Sequence, residues 1–284
     1  MKLILLLVYL LSINVIAHDA GLDRKVDHYG PLTGNNTPRI APQSIKPTDK
    51  SVSIQITDQE GGSCNALLPL GRPNAADTLL CRTGYVIGFD CEKRSALWVA
   101  YEVTPAIHNS ANVARSNDFR ADRELPENCR KELTDFSGTY DRGHLVSSAS
   151  LDANHKMNSD TFLLSNMSPQ LPNFNRTIWT ALEKRERKWS NLRGKVYVFA
   201  GPIFNGEKKH GRIRIPSHFY KIIIDPAKGE SISFLLPHRP LYSDHLKSYR
   251  TSIDIIEAIS GVDFLTHLED DLEDALEERV SGMW

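Results

Sequence analysis

The chain has 284 residues, 40% hydrophobic and 24% charged, with a formal net charge of −1. This is ordinary globular composition, which excludes a low-complexity or strongly charged disordered polymer and leaves one large domain or two small ones. The near-zero total says nothing about partners until the charge is divided along the chain.

The first seventeen residues stand apart. Lys2 is followed by an unbroken apolar run, Leu3 to Leu11, and Val15 and Ala17 occupy the −3 and −1 positions of a small-residue cleavage site. That is the layout of a secretory signal peptide over residues 1–17, and the run is short for a bilayer span. An uncleaved anchor is the alternative. The expected mature protein begins near His18, is secreted (extracellular or periplasmic) and has no membrane segment. Residues 18–60 carry Pro31, Pro38, Pro42 and Pro47 and no long apolar period, which predicts a poorly packed extension with one edge strand at Val52–Thr57.

A globular domain is expected over 61–268, its core starting near Leu67. The cysteines are Cys64, Cys81, Cys91 and Cys129. An even count behind a signal peptide points to two disulfides, and four cysteines allow three pairings. Sequence proximity favours Cys64–Cys81 with Cys91–Cys129. A zinc site would want a C-x-x-C or H-x-x-x-H pair, and neither is present. Tyr85–Phe89 and Ala96–Val103 read as strands, as do Lys195–Ala200 (ended by Gly201-Pro202), Phe219–Ile224 and Ile232–Leu236, the last two joined by a turn at 226–229. Residues 243–260 read as a helix. The final stretch, 269–284, opens with seven acids from Glu269 to Glu278 and reads as a solvated helix face or tail. By contrast, residues 184–221 hold eleven Lys or Arg against Glu186 and Glu207, a local excess of nine that would attract a polyanion if it formed one face.

Chemistry concentrates between 139 and 190. The tetrad Asp141-Arg142-Gly143-His144 is followed by Asn166-Met167-Ser168-Pro169-Gln170 and then by Phe174-Asn175. Gly143 would let the backbone pass close to a ligand. Leu145–Ser147 and Thr161–Ser165 read as two short strands. Asn175 would then open a helix to about Leu192, with Ile178, Leu182 and Trp189 on its apolar stripe and Asn175, Glu183 and Arg187 along one flank. Trp179 and Trp189 read as core. A merely capping Asn175 and a simple i,i+4 pair of Glu183 with Arg187 are the plainer readings.

Cutting a phosphodiester needs a base for water, a holder for a divalent cation and positive groups for the growing phosphoryl charge. A neutral imidazole suits the first task, an amide oxygen the second and arginine forks the third.

The ordered set of these motifs resembles the non-specific DNA/RNA endonuclease family, the ββα-metal finger nucleases that include endonuclease G. The resemblance runs over roughly residues 67–268, with weaker echoes at Trp98-Val99-Ala100-Tyr101 and from Val196 to Pro202. It implies an α+β fold, a mixed and mainly antiparallel sheet with packed helices and a ββα-metal finger carrying the active site. It implies that His144 is the general base, Asn175 the direct protein ligand of Mg²⁺ (or Mn²⁺), Glu183 an orienting carboxylate, and Arg142 and Arg187 phosphate-binding groups. Asn166 would position His144 or the substrate. Arg115 is the candidate for a further family arginine, with Arg120 as its rival. DNA and RNA would be the substrates and 5′-phosphate and 3′-hydroxyl ends the products. Monomer and homodimer both remain open. A nucleic-acid binder without activity and a phosphodiesterase for small nucleotides are the competing functions. Asn35, Asn166 and Asn175 lie in N-x-S/T sequons, and a glycan on Asn175 would block the site.

Overall fold

The structure, a computed structural model, describes residues 55–57, 64–109, 113–136, 138–206 and 208–284. The expected signal peptide and most of the 18–60 extension lie outside the described residues.

In chain order the strands are β1 (Gln55–Thr57), β2 (Thr78–Arg82), β3 (Tyr85–Asp90), β4 (Ser95–Val103), β5 (Asp141–His144), β6 (Met167–Gln170), β7 (Val196–Ile203), β8 (Lys209–His210), β9 (Ile213–Arg214), β10 (His218–Asp225), β11 (Glu230–Pro237) and β12 (Arg250–Thr251). The helices are α1 (Pro105–His108), α2 (His155–Asp160), α3 (Pro172–Phe174), α4 (Thr180–Arg193), α5 (Ile253–Ser260) and α6 (Asp270–Glu277). Eight strands form one sheet in the order β1-β2-β3-β4-β7-β10-β11-β12. It is antiparallel except where β1 runs parallel to β2 at its edge. The class is α+β, as expected.

Alternation along the strands divides two cores. Tyr85, Ile87, Val99, Tyr101, Val198, Phe219 and Ile223 face one side, where Phe174, Ile178, Trp179, Leu182 and Trp189 of the α3–α4 segment pack on them. Val86, Trp98, Ala100, Phe199, Tyr220 and Ile222 face the other, under Ile253 and Ile256 of α5 and Leu276 of α6. Both faces are covered, so the central strands are apolar without interruption. Each fully buried large side chain contributes about 1.5–3 kcal/mol.

Several elements differ from expectation. β7 continues through Gly201 and Pro202 to Ile203. The β4 pairing ends at Val99↔Ala200, so at Pro202 the strand has β10 on one side only, where a residue lacking an N–H is tolerated. The 243–260 helix is broken: a 3₁₀ turn spans Ser243–Tyr249, Arg250–Thr251 pairs with β11, and α5 starts after the Ser252 cap, whose hydroxyl accepts from Ile255 N. The acidic 269–284 segment takes the expected form of a solvated helix face rather than a free tail. It contains α6, with Leu276 buried, and its end returns to the domain, where the Trp284 carbonyl accepts from the Trp189 indole at 2.9 Å. The disulfides are Cys64–Cys81 and Cys91–Cys129, the pairing that proximity favours.

Candidate active site

The finger is a two-stranded ribbon, β5 against β6, leading into a helix. Its register pairs His144 with Met167, Gly143 with Ser168, Arg142 with Pro169 and Asp141 with Gln170. The strands lie earlier and later, respectively, than Leu145–Ser147 and Thr161–Ser165, which fold as buried turns instead. Gly143 is needed for packing rather than for a ligand. A Cβ there would meet the fully buried Gln170 side chain, at 2.2 Å from Oε1 and 2.3 Å from Cδ.

The helix begins at Pro172, not Asn175. After α3 the chain makes one wide turn over Asn175–Trp179, with i→i+5 bonding, before α4. Such turns recur at functional sites. Asn175 has helical φ and ψ of −59° and −52° and is therefore not an N-cap. Its Nδ2 donates to Asp141 Oδ2 at 3.0 Å, and Arg176 closes on the same carboxylate. With the nitrogen committed, the amide oxygen is the atom left for a cation. Asp141 orients this turn.

Besides the Arg176–Asp141 pair, two contacts tie this turn to β5. One is the Asn175–Asp141 contact; the other runs from the Trp179 indole to the His144 carbonyl at 2.9 Å. The His144 ring sits edge-on to Phe162 and Phe119, at 5.0 and 5.7 Å between centroids. It is 8% exposed, and its Nε2 has no hydrogen-bond partner among the described residues. Burial, with Arg115 and Arg142 adding, pulls its pKa from 6.5 to about 3. The imidazole is thus neutral at ordinary pH and carries an uncommitted nitrogen, as a base must.

The arginines fall into distinct settings. Arg115 donates to Ser148 Oγ at 2.6 Å and lies over the Phe162 ring at 4.8 Å. Its charge acts on both His144 and Glu183. Its rival Arg120 is committed to Asp118 and Asp160. Arg142 is exposed and lies over Phe119 at 4.3 Å. Arg187 reaches Ser150 and Ser147 at 3.3 and 3.4 Å, not Glu183, so the i,i+4 ion pair does not form. Glu183 is half-buried, and burial pushes its pKa up to about 7; Lys221, Arg187 and Arg115 oppose that rise and Glu186 adds to it.

Asn166, expected to position His144 or the substrate, holds backbone next to His144. It is fully buried, accepts from Val146 N at 3.0 Å, and donates to the Val146 and Thr161 carbonyls. It shapes the backbone just after His144 and does not reach the groove. Its sequon is likewise hidden.

Sequence reasoning missed the support behind Glu183. Lys221 and Glu186, counted with a basic surface stretch, are fully buried and pair at 2.5 Å. Tyr101 and Ser150 both donate to Glu186, at 3.0 and 2.6 Å. The available signal was Lys221 inside the apolar run from Phe219 to Ile224, a strand covered on both faces. The basic excess shrinks further, because Arg193, Lys195, Arg212 and Arg214 are all paired with acids. Lys184, Arg185 and Lys188 on the outer face of α4 form no ion pair among the described residues.

A family model described as DNA/RNA non-specific endonuclease matches residues 65–271. The chain is 32% identical to mitochondrial endonuclease G of Bos taurus, over 73% of this chain and 75% of that one. It is 29% identical to a nuclease of a Nostoc species, over 78% of this chain and 88% of that one. Its fold is similar to that in the crystal structure of an EndoG/EndoGI complex, with a TM-score of 0.67 at 24% identity, over 75% of this chain and 95% of that chain.

Proposed function

The chain belongs to the DNA/RNA non-specific endonuclease family and is a phosphodiester-hydrolysing enzyme, and from that premise we propose that it is a secreted, Mg²⁺-dependent nuclease that cuts DNA and RNA internally, leaving 5′-phosphate and 3′-hydroxyl ends. The observation that carries this reading is His144: neutral, buried, with an unpartnered Nε2 and with Arg115 and Arg142 close enough to depress its pKa. A base for water and cations for phosphate therefore gather on the same two phenyl rings, Phe119 and Phe162.

The donors suit a hard cation. Asn175 offers an amide oxygen and Glu183 a nearby carboxylate, with no thiolate present, since all four cysteines are in disulfides. Asn175 would hold Mg²⁺, and Mn²⁺ suits the same donors. When bound, the cation supplies Lewis-acid stabilisation of phosphate charge. His144 takes the proton from the attacking water at its free ring nitrogen. Arg115, Arg142 and Arg187 hold phosphate oxygens and meet the charge that develops on them. Glu183, in the field of the buried Lys221–Glu186 pair, orients the polar groups around the leaving oxygen. Contacts of this kind address phosphate rather than base edges, so little sequence preference follows.

Secretion is supported by the leader-like residues 1–17 and by two disulfides, which persist in oxidising compartments. Some relatives are named as mitochondrial. A mitochondrial leader would be Arg-rich and amphipathic, unlike Leu3 to Leu11. N-terminal sequencing of protein recovered from the medium should start near His18.

The function is tested by incubating plasmid and single-stranded RNA with the protein in Mg²⁺, with and without EDTA. Both substrates should be degraded, and EDTA should stop the reaction. A gel shift with intact nucleic acid would instead identify a binder, and hydrolysis of a chromogenic diester with plasmid uncut a small-nucleotide phosphodiesterase.

A further inference from the structure

On the side of the sheet away from His144, α5 and α6 bring three carboxylates together. The ligand oxygens of Asp254, Glu257 and Glu277 all lie within 4.8 Å of one another. Asp254 and Glu257 are one turn apart on α5, and Glu277 is the last residue of α6. Glu257 Oε1 accepts from Phe264 N at 2.7 Å, which fixes that carboxylate in place.

Glu277 is the decisive residue. It is 8% exposed, and its buried Oε1 has no hydrogen-bond partner. The charged groups that face it are Glu257, Glu273, Asp254 and Asp263, all acidic. The same signs surround Glu257. None of these five forms an ion pair among the described residues. Glu277 also sits at a helix C-terminus, where the macrodipole adds negative potential. A buried carboxylate oxygen without hydrogen bond or counter-charge among the described residues calls for a partner, and the charges that act on it most are acidic. The cluster is open to solvent at the exposed Asp254, which gives an ion a way in.

We propose that Asp254, Glu257 and Glu277 form a structural site for a hard divalent cation of the Ca²⁺ type, clamping α6 onto α5 and distinct from the catalytic centre. All the donors are carboxylate oxygens, which excludes a soft metal. Ca²⁺ accepts an irregular set of carboxylates, whereas Mg²⁺ demands near-octahedral geometry and sheds its waters reluctantly.

The test is the thermal midpoint of the full chain, disulfides intact, in about 5 mM CaCl₂ against NaCl of equal ionic strength. At roughly ten times Kd, a domain of this size should gain about 3–6 °C. Asn175→Ala should keep that gain, because its altered group belongs to the catalytic site. In the Asn175→Ala protein, MgCl₂ should give the smaller shift. Glu277→Gln should lose the gain, and Glu257→Gln should lose it too, which decides the matter if the first variant does not fold. No gain in the wild type over NaCl of equal ionic strength, a larger gain in MgCl₂ than in CaCl₂ for the Asn175→Ala protein, or a gain retained by either glutamine variant would overturn the proposal.

Discussion

The chemistry of single residues explains why the candidate base is a buried rather than an exposed group. His144 is kept neutral by burial, with two arginines adding to the effect. This has a consequence for stability whose sign is fixed. The folded pKa is about 3 and the unfolded value 6.5, so between these values only the unfolded chain takes up the proton. The stabilisation tied to neutral His144 is complete above about pH 6.5 and is lost as the pH falls toward 3. Urea midpoints at pH 7 and pH 4.5 should therefore fall further for the wild type than for His144→Gln; equal falls would contradict the burial argument. Asn166 acts on backbone. Asn166→Ala strips partners from the buried Val146 N–H and from the Val146 and Thr161 carbonyls, and should cost about 2–4 kcal/mol in urea unfolding. A variant of full stability with abolished cleavage would instead give Asn166 a direct part in the chemistry.

Elements were legible in the sequence where a period was present and illegible where function interrupts it. Tyr85–Asp90, Ser95–Val103, His218–Asp225 and Glu230–Pro237 were readable to within a residue or two, because β-branched and aromatic residues fill strands covered on both faces. The ribbon β5–β6 was misplaced because Asp141-Arg142-Gly143-His144 has no β-branched residue and Met167–Gln170 contains a proline; the apolar residues on the inner side of the ribbon drew the strands inward. The motif residues were legible by type and order, but the wide turn at Asn175–Trp179 was not, since i→i+5 bonding leaves no compositional mark. The Lys221–Glu186 pair was hidden for a different reason: net charge counts cannot tell a buried cation from a solvated one. Removing one partner of such a pair leaves an uncompensated buried charge. Lys221→Met should thus cost about 3–5 kcal/mol by urea unfolding, and the double variant Lys221→Met with Glu186→Leu should recover most of it. Equal losses in single and double variants would show that packing, not charge, decides this site.

At the scale of the whole molecule, one sheet separates two jobs. Its α4 side carries the finger, and its α5–α6 side carries the acidic helices. Substrate attraction then rests on the few unpaired cations of α4 and on the groove arginines rather than on the full basic stretch. Cleavage should fall log-linearly with salt, and replacing Lys184 and Lys188 by Gln should reduce that slope by about 1–2 without changing the preference among sequences; an unchanged slope would place the substrate elsewhere. The central claim is that the uncommitted nitrogen of His144 removes the proton from water. Its most direct measurement is the single-turnover cleavage rate of a defined duplex by folded His144→Ala at saturating Mg²⁺. The rate should fall by about 10²–10⁴ with an unchanged circular-dichroism spectrum, and a His144→Ala protein that cuts at the wild-type rate would rule His144 out as the base.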